Sequence, residues 1–331
     1  MATKTKTTAT DAPTSAAVIK RLEAAGYRFA GDGEPKTAAI KVCTYTRKSL
    51  LGNEACYKQK FYGIKSHRCL QCTPNAFCCT HRCVFCWRDT DVTVPAAVEG
   101  AEKTDIPALV DGMIEAQRKL LIGFKGNEKV KKEMLDEALN PNQAAISLAG
   151  EPTLFPQLGE LIREFGKRGF TTFVVTNGTN PDALRKLKPL PTQLYVTLAA
   201  PNEGVYIATC KPASPALWDL FLESLDVVRK LNCRKVARLT LVREFNLTDP
   251  EGYAELIKRM MPDYVEPKAY MHVGYSINRL EVKHMPSFAE IKEFSEKLAK
   301  LTGYRIRDES AQSRVTLLCR DDEAFEKRML Q

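Results

Sequence analysis

Sulfur is the first chemistry legible in this chain. It holds 11 cysteines, and 8 of them fall between Cys43 and Cys86. The chain is long, the cysteine count is odd, and no apolar signal core precedes them. Those features favour metal or cluster ligation over a disulfide framework. The densest group reads Cys79-Thr-His-Arg-Cys83-Val-Phe-Cys86-Trp87. Three thiolates within eight positions can wrap one cluster from a single loop. A [4Fe–4S] cube has four irons, so three ligands leave one iron open to an amine and a carboxylate. Zinc would want a fourth ligand. His81 lies inside the loop and could supply it, and Cys78 adds a further thiol beside the set.

A second set, Cys43, Cys56 and Cys69, is spaced at equal intervals of 13. Zinc ribbons use short pairs, so the spacing is not itself a metal signature. Three buried thiols, a zinc site completed by Cys72, and a second cluster on soft ligands all stay open. Lys58 follows Cys56 by two residues. A lysine amine with a depressed pKa can form a Schiff base with a ketoacid. On sequence alone it is one lysine among many, with Lys60 and Lys65 close by.

The elements that must position these residues alternate between strand and helix. Apolar runs at Ala144–Ala149, Thr172–Thr176, Leu194–Leu198, Lys235–Val242 and Glu266–Val273 have the length and composition of buried parallel strands, with a further strand over Arg314–Cys319. Helical patterns lie between them at Ile106–Phe124, Leu154–Lys167, Asp182–Leu187, Pro215–Leu231, Pro250–Met261 and Phe288–Leu301. Pro215 and Pro250 suit first-turn positions, and Asp249 suits a cap. The alternation predicts a parallel sheet with helices outside it. Fewer than eight units follow the cysteine region, so a partial barrel is expected. Polar and glycine signals follow five strands in turn: Gly150-Glu151-Pro152, Thr176-Asn177-Gly178, Ala199-Ala200-Pro201-Asn202, Arg243-Glu244 with Asn246, and Gly274, Ser276 and Arg279. The carboxyl ends of strands carry the site in barrel-like folds, so these signals are expected on one rim. Each alone is equally consistent with turn chemistry.

The bulk numbers bound the partners. The chain has 331 residues, 44% of them hydrophobic, which is enough for a sizeable core. No apolar run is long enough to cross a bilayer. Met1–Ala17, rich in Thr, Ala and Ser, reads as a disordered tail. The net charge is +9, a modest excess that fits a polyanionic partner but also an ordinary basic enzyme.

The Cys79/Cys83/Cys86 trio, with Phe85 before the last cysteine, resembles the radical S-adenosylmethionine (SAM) superfamily. Asn75–Cys78 resembles that superfamily's first barrel strand. Gly150-Glu151-Pro152 resembles its glycine–glutamate motif, with Ala149 replacing the motif's first glycine. The double trio resembles, more narrowly, archaeal tRNA 4-demethylwyosine synthases. The segments Cys56–Cys69, Gln71–Pro74, Cys86–Arg88, Ser147–Thr153, Thr176–Thr179 and Ala269–Ser276 share in it, from roughly Lys41 to Cys319. Some relatives carry an acidic residue where Ala199 stands, so Ala199 is given no catalytic role.

The resemblance implies an α/β fold, a partial TIM-type (β/α)6 barrel over 74–320. An N-terminal region over 18–73 would carry the second-cluster cysteines, and 321–331 would form a tail. It implies two [4Fe–4S] clusters, one on Cys79, Cys83 and Cys86 and one on Cys43, Cys56 and Cys69. It implies SAM, with Gly150, Glu151, Pro152, Thr176, Asn177 and Ser276 as contacts and Ser276 and Arg279 near sugar or phosphate oxygens. Tyr62, Trp87 and Tyr275 are candidates to stack on bases. The implied reaction is a cytoplasmic, carbon–carbon lyase-type condensation of pyruvate with N1-methylguanosine-37 of tRNA, fed by an electron donor. Lys58 would act as a Schiff-base lysine, beside or instead of chelation of pyruvate by the second cluster. The competing readings are another two-cluster radical SAM enzyme, such as an activase or a methyltransferase, and a zinc-binding RNA adaptor.

Overall fold

The structure is a computed structural model, and it describes residues 16–31 and 36–330. The tail expected at the start lies outside the described residues, except that Ala16 and Ala17 open a helix. The strands are β1 (Arg28–Phe29), β2 (Ala39–Ile40), β3 (Cys69–Thr73), β4 (Gln143–Ile146), β5 (Thr171–Thr176), β6 (Gln193–Thr197), β7 (Arg234–Leu241), β8 (Tyr264–Ala269), β9 (Arg305–Ser310) and β10 (Val315–Cys319). The helices are α1 (Ala16–Ala24), α2 (Thr44–Leu50), α3 (Tyr57–Tyr62), α4 (Ile106–Leu121), α5 (Lys132–Ala138), α6 (Leu158–Lys167), α7 (Pro181–Lys186), α8 (Glu203–Cys210), α9 (Leu217–Arg229), α10 (Pro250–Met260), α11 (Phe288–Thr302) and α12 (Asp322–Glu326).

One sheet runs β1-β2-β3-β4-β5-β6-β7-β8-β10-β9. The six strands β3 to β8 are parallel, each joined to the next. Antiparallel pairs extend both edges. The sheet is therefore a partial (β/α)6 barrel, left open between β1 and β9.

Two cores follow from the alternation of side chains across the strands. Leu70, Ile146, Val174, Leu194, Leu239 and Val265 face outward and join the helix layer, with Val110, Leu161, Phe165, Leu225, Ile257 and Leu298. The inward set Phe173, Tyr195, Val236 and Tyr264 meets Tyr57, Phe61 and Tyr62 of α3, which packs inside the barrel. Helix starts are fixed by local caps. Asp249 accepts from Gly252 N ahead of Pro250, and Ser287 and Glu290 form a reciprocal capping box on α11.

Four expectations are corrected. The first parallel strand is Cys69–Thr73, not Asn75–Cys78, where only Cys78 makes an isolated bridge to Val94. A boundary at 73/74 would thus cut Cys69 and its strand out of the sheet. Pro215 lies in a turn before α9, which begins at Leu217. The helix expected from Leu154 begins at Leu158, because Pro152–Leu154 forms a separate 3-10 turn. The end of the chain is docked: α12 packs on β10, and Leu330 N donates to Tyr62 O at 2.7 Å.

Candidate functional site

Cys79, Cys83 and Cys86 line one pocket at the carboxyl end of the barrel strands, together with Arg88, Glu151 and Asn177. All three thiols are free. The loop that carries them is tied down by backbone bonds at both flanks. Cys79 N donates to Val94 O at 2.8 Å, and Val84 N donates to Thr209 O at 2.9 Å. Arg279 clasps the far side, donating to Val84 O and Thr90 Oγ1, both at 3.3 Å, and to Cys86 O. Arg88 donates to the carbonyls of Ser147 and Leu148, so the loop is gripped against the end of β4.

Glu151 sits at the base of this pocket, 2% exposed. Its carboxylate accepts from Thr176 Oγ1 at 2.6 Å, Asn177 N at 2.6 Å, Thr153 Oγ1 at 2.7 Å and Thr153 N at 3.1 Å. Burial raises its pKa against the pull of those bonds. Gly150 is required by a close approach. Its φ is +70°, and a Cβ there would stand 2.0 Å from Asn75 O and 2.8 Å from Cys78 O. Ala149, in place of the motif's glycine, packs in a separate cluster with Phe77 and Leu148.

Asn177 Nδ2 donates to Thr80 Oγ1 at 2.9 Å, and its Oδ1 accepts from Thr179 Oγ1 at 2.8 Å. Thr80 and Thr179 hydroxyls bond to each other at 2.8 Å. The Asn177 side chain therefore joins the end of β5 to the cysteine loop. Pro152 is buried and starts a 3-10 turn behind Glu151. Ser276 stands apart from the pocket, fully buried. Its hydroxyl donates to Val273 O at 2.6 Å and accepts from Tyr270 Oη at 2.9 Å. Of the five rim signals, the first three line the pocket. Those after β7 and β8 brace turns: Asn246 Nδ2 donates to Ala199 O at 2.7 Å.

The donor set fits an iron–sulfur cluster. Burial and the Glu151 carboxylate push the Cys79 thiol well above the ordinary thiol range, so a thiolate there calls for a cation beside it. Cys78 is buried outside the pocket lining, which removes one competing ligand. His81 is buried, its Nε2 bonded to Tyr206 Oη at 2.6 Å, and burial lowers its pKa to about 3.

The earlier trio is assembled differently. Cys43 and Cys56 occupy the cap positions of α2 and α3, with no capping bond to either side chain. Cys69 opens β3. The thiols feel one another's charge: Cys43, Cys56 and Lys58 all act on Cys69, although burial is the largest influence and raises it. Burial likewise lifts Cys56 to about 11, against Lys58. Cys72 points to the opposite face, into the helix layer, because three residues along a strand reverse the side chain. It cannot complete a site with Cys69.

Lys58 Nζ lies 4.4 Å from the Tyr195 ring centroid and 5.0 Å from that of Phe173. Burial lowers its pKa, and Arg238 lowers it further against Glu266 and Cys56. Around it is a charged interior that the sequence reading missed. Glu266, 0% exposed, accepts from Tyr62 Oη at 2.6 Å, Tyr57 Oη at 2.9 Å and Arg238 Nη2 at 2.9 Å. Lys268 donates to Ser313 O at 2.9 Å, and burial and Arg238 bring its pKa down to about 8. The available signal was three charged residues at inward positions of otherwise apolar strands. Tyr62, a candidate for base stacking, is closed off in this interior. Trp87 stacks on Tyr27 at 6.5 Å, and Tyr275 N donates to Trp87 O at 2.9 Å.

The two sites occupy neighbouring layers of one barrel. Phe173 and Tyr195 touch Lys58. The next inward residues on the same strands, Val175 and Thr197, line the upper pocket. Two residues along a strand span about 7 Å.

Comparison with known proteins settles the family. The profile described as Radical SAM superfamily matches residues 76–257, and the one described as Wyosine base formation matches 259–320. The chain is 51% identical over 290 residues to the S-adenosyl-L-methionine-dependent tRNA 4-demethylwyosine synthase of Pyrococcus horikoshii, covering 86% of this chain and 84% of that one. The chain belongs to the tRNA 4-demethylwyosine synthase family. The Methanocaldococcus jannaschii enzyme of the same name is 39% identical, over 88% of this chain and 92% of its own length. A solved structure of TYW1 with a lysine–pyruvate adduct bound superposes with a TM-score of 0.82, at 35% identity, covering 95% of this chain and 97% of that one. Membership of the radical SAM superfamily implies SAM and one [4Fe–4S] cluster, and the Cys79/Cys83/Cys86 pocket is the site whose donors suit them.

Proposed function

We propose that this chain is a carbon–carbon lyase-type tRNA 4-demethylwyosine synthase that joins two carbons of pyruvate to N1-methylguanosine-37 of tRNA. The reading includes a second [4Fe–4S] cluster on Cys43, Cys56 and Cys69, a one-electron donor and action in the cytoplasm. The observation that carries it is the layering of the barrel, with a lysine amine of lowered pKa about one pleat below the SAM-type pocket. When bound, the cluster on Cys79, Cys83 and Cys86 supplies the electron that cleaves SAM into methionine and a 5′-deoxyadenosyl radical.

The chain's own residues do the rest of the positioning. Glu151 presents a carboxylate oxygen at the pocket base for the SAM amine, held in place by Thr153, Thr176 and Asn177. Gly150 lets the backbone come close enough to place it. Lys58, as the neutral amine, attacks the ketone carbon of pyruvate and expels water to form an imine. Arg238 and Lys268 supply positive charge toward the pyruvate carboxylate. Support for the lysine's role comes from the relative described with a lysine–pyruvate adduct. The aromatic floor of Phe173 and Tyr195 excludes water around the amine.

The test is incubation of N1-methylguanosine-containing tRNA with SAM, pyruvate and a reductant, followed by nucleoside analysis. A tricyclic base is expected, and its absence rejects the assignment. Borohydride with pyruvate is expected to trap a covalent adduct on wild-type protein and none on Lys58→Arg. Trapping at another lysine would move the role.

A further inference from the structure

Cys210 lines the same pocket as Cys79, Cys83 and Cys86 but lies outside the loop that carries them. It is the last residue of α8 and fully buried. Its sulfur lies within 4.8 Å of that of Cys83. His81 stands beside them: one nitrogen of its ring and the two sulfurs all lie within 4.8 Å of one another. Backbone contacts hold this group together. Arg82 N donates to Cys210 O at 3.0 Å, and His81 bridges to Pro212. Tyr206, one turn earlier on α8, bonds His81 Nε2 through its hydroxyl at 2.6 Å. That bond fixes the orientation of the ring, as outer hydrogen bonds do for imidazole ligands.

We propose that His81, Cys83 and Cys210 form a mononuclear site for a thiophilic divalent cation, zinc or iron(II), in chains that carry no cluster at Cys79, Cys83 and Cys86. Two thiolates and an imidazole are a donor set that such ions take, with a further position left to solvent. Binding releases the two thiol protons and moves no electrons. Cys83 belongs to both sites, so ion and cluster exclude each other. That exclusion, and only that, rests on reading the loop trio as cluster ligands. The ion must leave before the cluster is built.

Anaerobic titration of cluster-free protein with Co2+, followed by thiolate charge-transfer and d–d absorption, tests the site. Wild type is expected to bind about one equivalent more than Cys210→Ser. Cys86→Ser is expected to keep that equivalent, and His81→Gln to weaken it about tenfold or more. Co2+ binding unchanged by Cys210→Ser and lost in Cys86→Ser overturns the proposal. Should Cys210→Ser fail to fold by circular dichroism, unchanged affinity in His81→Gln overturns it equally. Iron and sulfide uptake then tests the exclusion. With one equivalent of zinc present, wild type is expected to gain about four fewer irons than Cys210→Ser. Equal loss in both overturns the exclusion. Failure of zinc-free wild type to gain those irons would instead reject the cluster reading and leave the Co2+ result standing.

Discussion

Cys79, Cys83 and Cys86 sit on one loop, whereas Cys43, Cys56 and Cys69 come from two helix starts and a strand start. The loop trio is held by backbone bonds to Val94 and Thr209 and by Arg88 and Arg279. The dispersed trio depends on the barrel interior: Tyr57 and Tyr62 of α3 meet Glu266 of β8 and Arg238 of β7. A local site tolerates damage to the distant fold better than one gathered from several elements. The two sites should therefore fail separately and for different reasons.

The largest expected effect tests whether the sites divide the chemistry. Cys79→Ala should cut 5′-deoxyadenosine production from SAM by about 10³-fold or more, because ligands that act as a unit fail together. Cys56→Ala should leave that cleavage within about tenfold while abolishing the tricyclic base. Chromatography of both products reads the pair. Equal loss of 5′-deoxyadenosine in the two variants would mean that the trios are not separable.

Next in size is the interior that supports the dispersed trio. Glu266 is wholly buried and Arg238 mostly so. Glu266→Ala should destabilise the fold by about 3–5 kcal/mol, because it strands a buried cation. Glu255→Gln, which removes the exposed partner of Lys258, should cost no more than about 1 kcal/mol. Denaturant titration of both separates the cases. A Glu266→Ala protein as stable as wild type would show that the interior is not what holds α3.

A smaller effect is expected at the loop site. Gly150→Ala places a methyl 2.0 Å from Asn75 O at a φ of +70°. It should cost about 1–3 kcal/mol and weaken SAM binding. Borohydride trapping of pyruvate on Lys58 should be unaffected, since that amine lies in the other layer. Calorimetry with SAM and trapping on the same sample check both halves.

The same contrast explains what could be read ahead of the structure. The loop trio was legible because its spacing alone brings three thiols together. So were the parallel strands, whose apolar runs are buried on both faces. The dispersed trio carried no local signal, and its reading as a second cluster rests on family resemblance. Cys72 looked like a candidate ligand until the strand alternation turned it away from Cys69. Ser276 and Pro152 sat in rim motifs; in the structure Ser276 bonds Val273 and Tyr270, and Pro152 opens a 3-10 turn. Hydroxyl and proline signals after a strand do not distinguish a ligand contact from a brace. The strand at Cys69–Thr73 was missed because two cysteines and a glutamine dilute its apolar pattern, while Asn75–Cys78 looked more strand-like and is a turn.

The subtlest expected effect is a pH shift in the dispersed site. Burial lowers the Lys58 pKa below 10.5, and Arg238 adds to that lowering. Below its folded pKa the amine is protonated and cannot attack pyruvate, so trapping should rise with pH through that value. The unfolded amine still holds its proton between the folded pKa and 10.5, so stability also rises with pH across that window. Arg238→Gln removes the cation that disfavours the ammonium. The trapping midpoint should then move to higher pH. Glu266, if it stays ionised without its partner, pushes in the same direction. A midpoint that stays fixed would mean that burial alone sets the amine and that the charged interior serves the fold and not the lysine, and one that falls would reverse the sign assigned to Arg238.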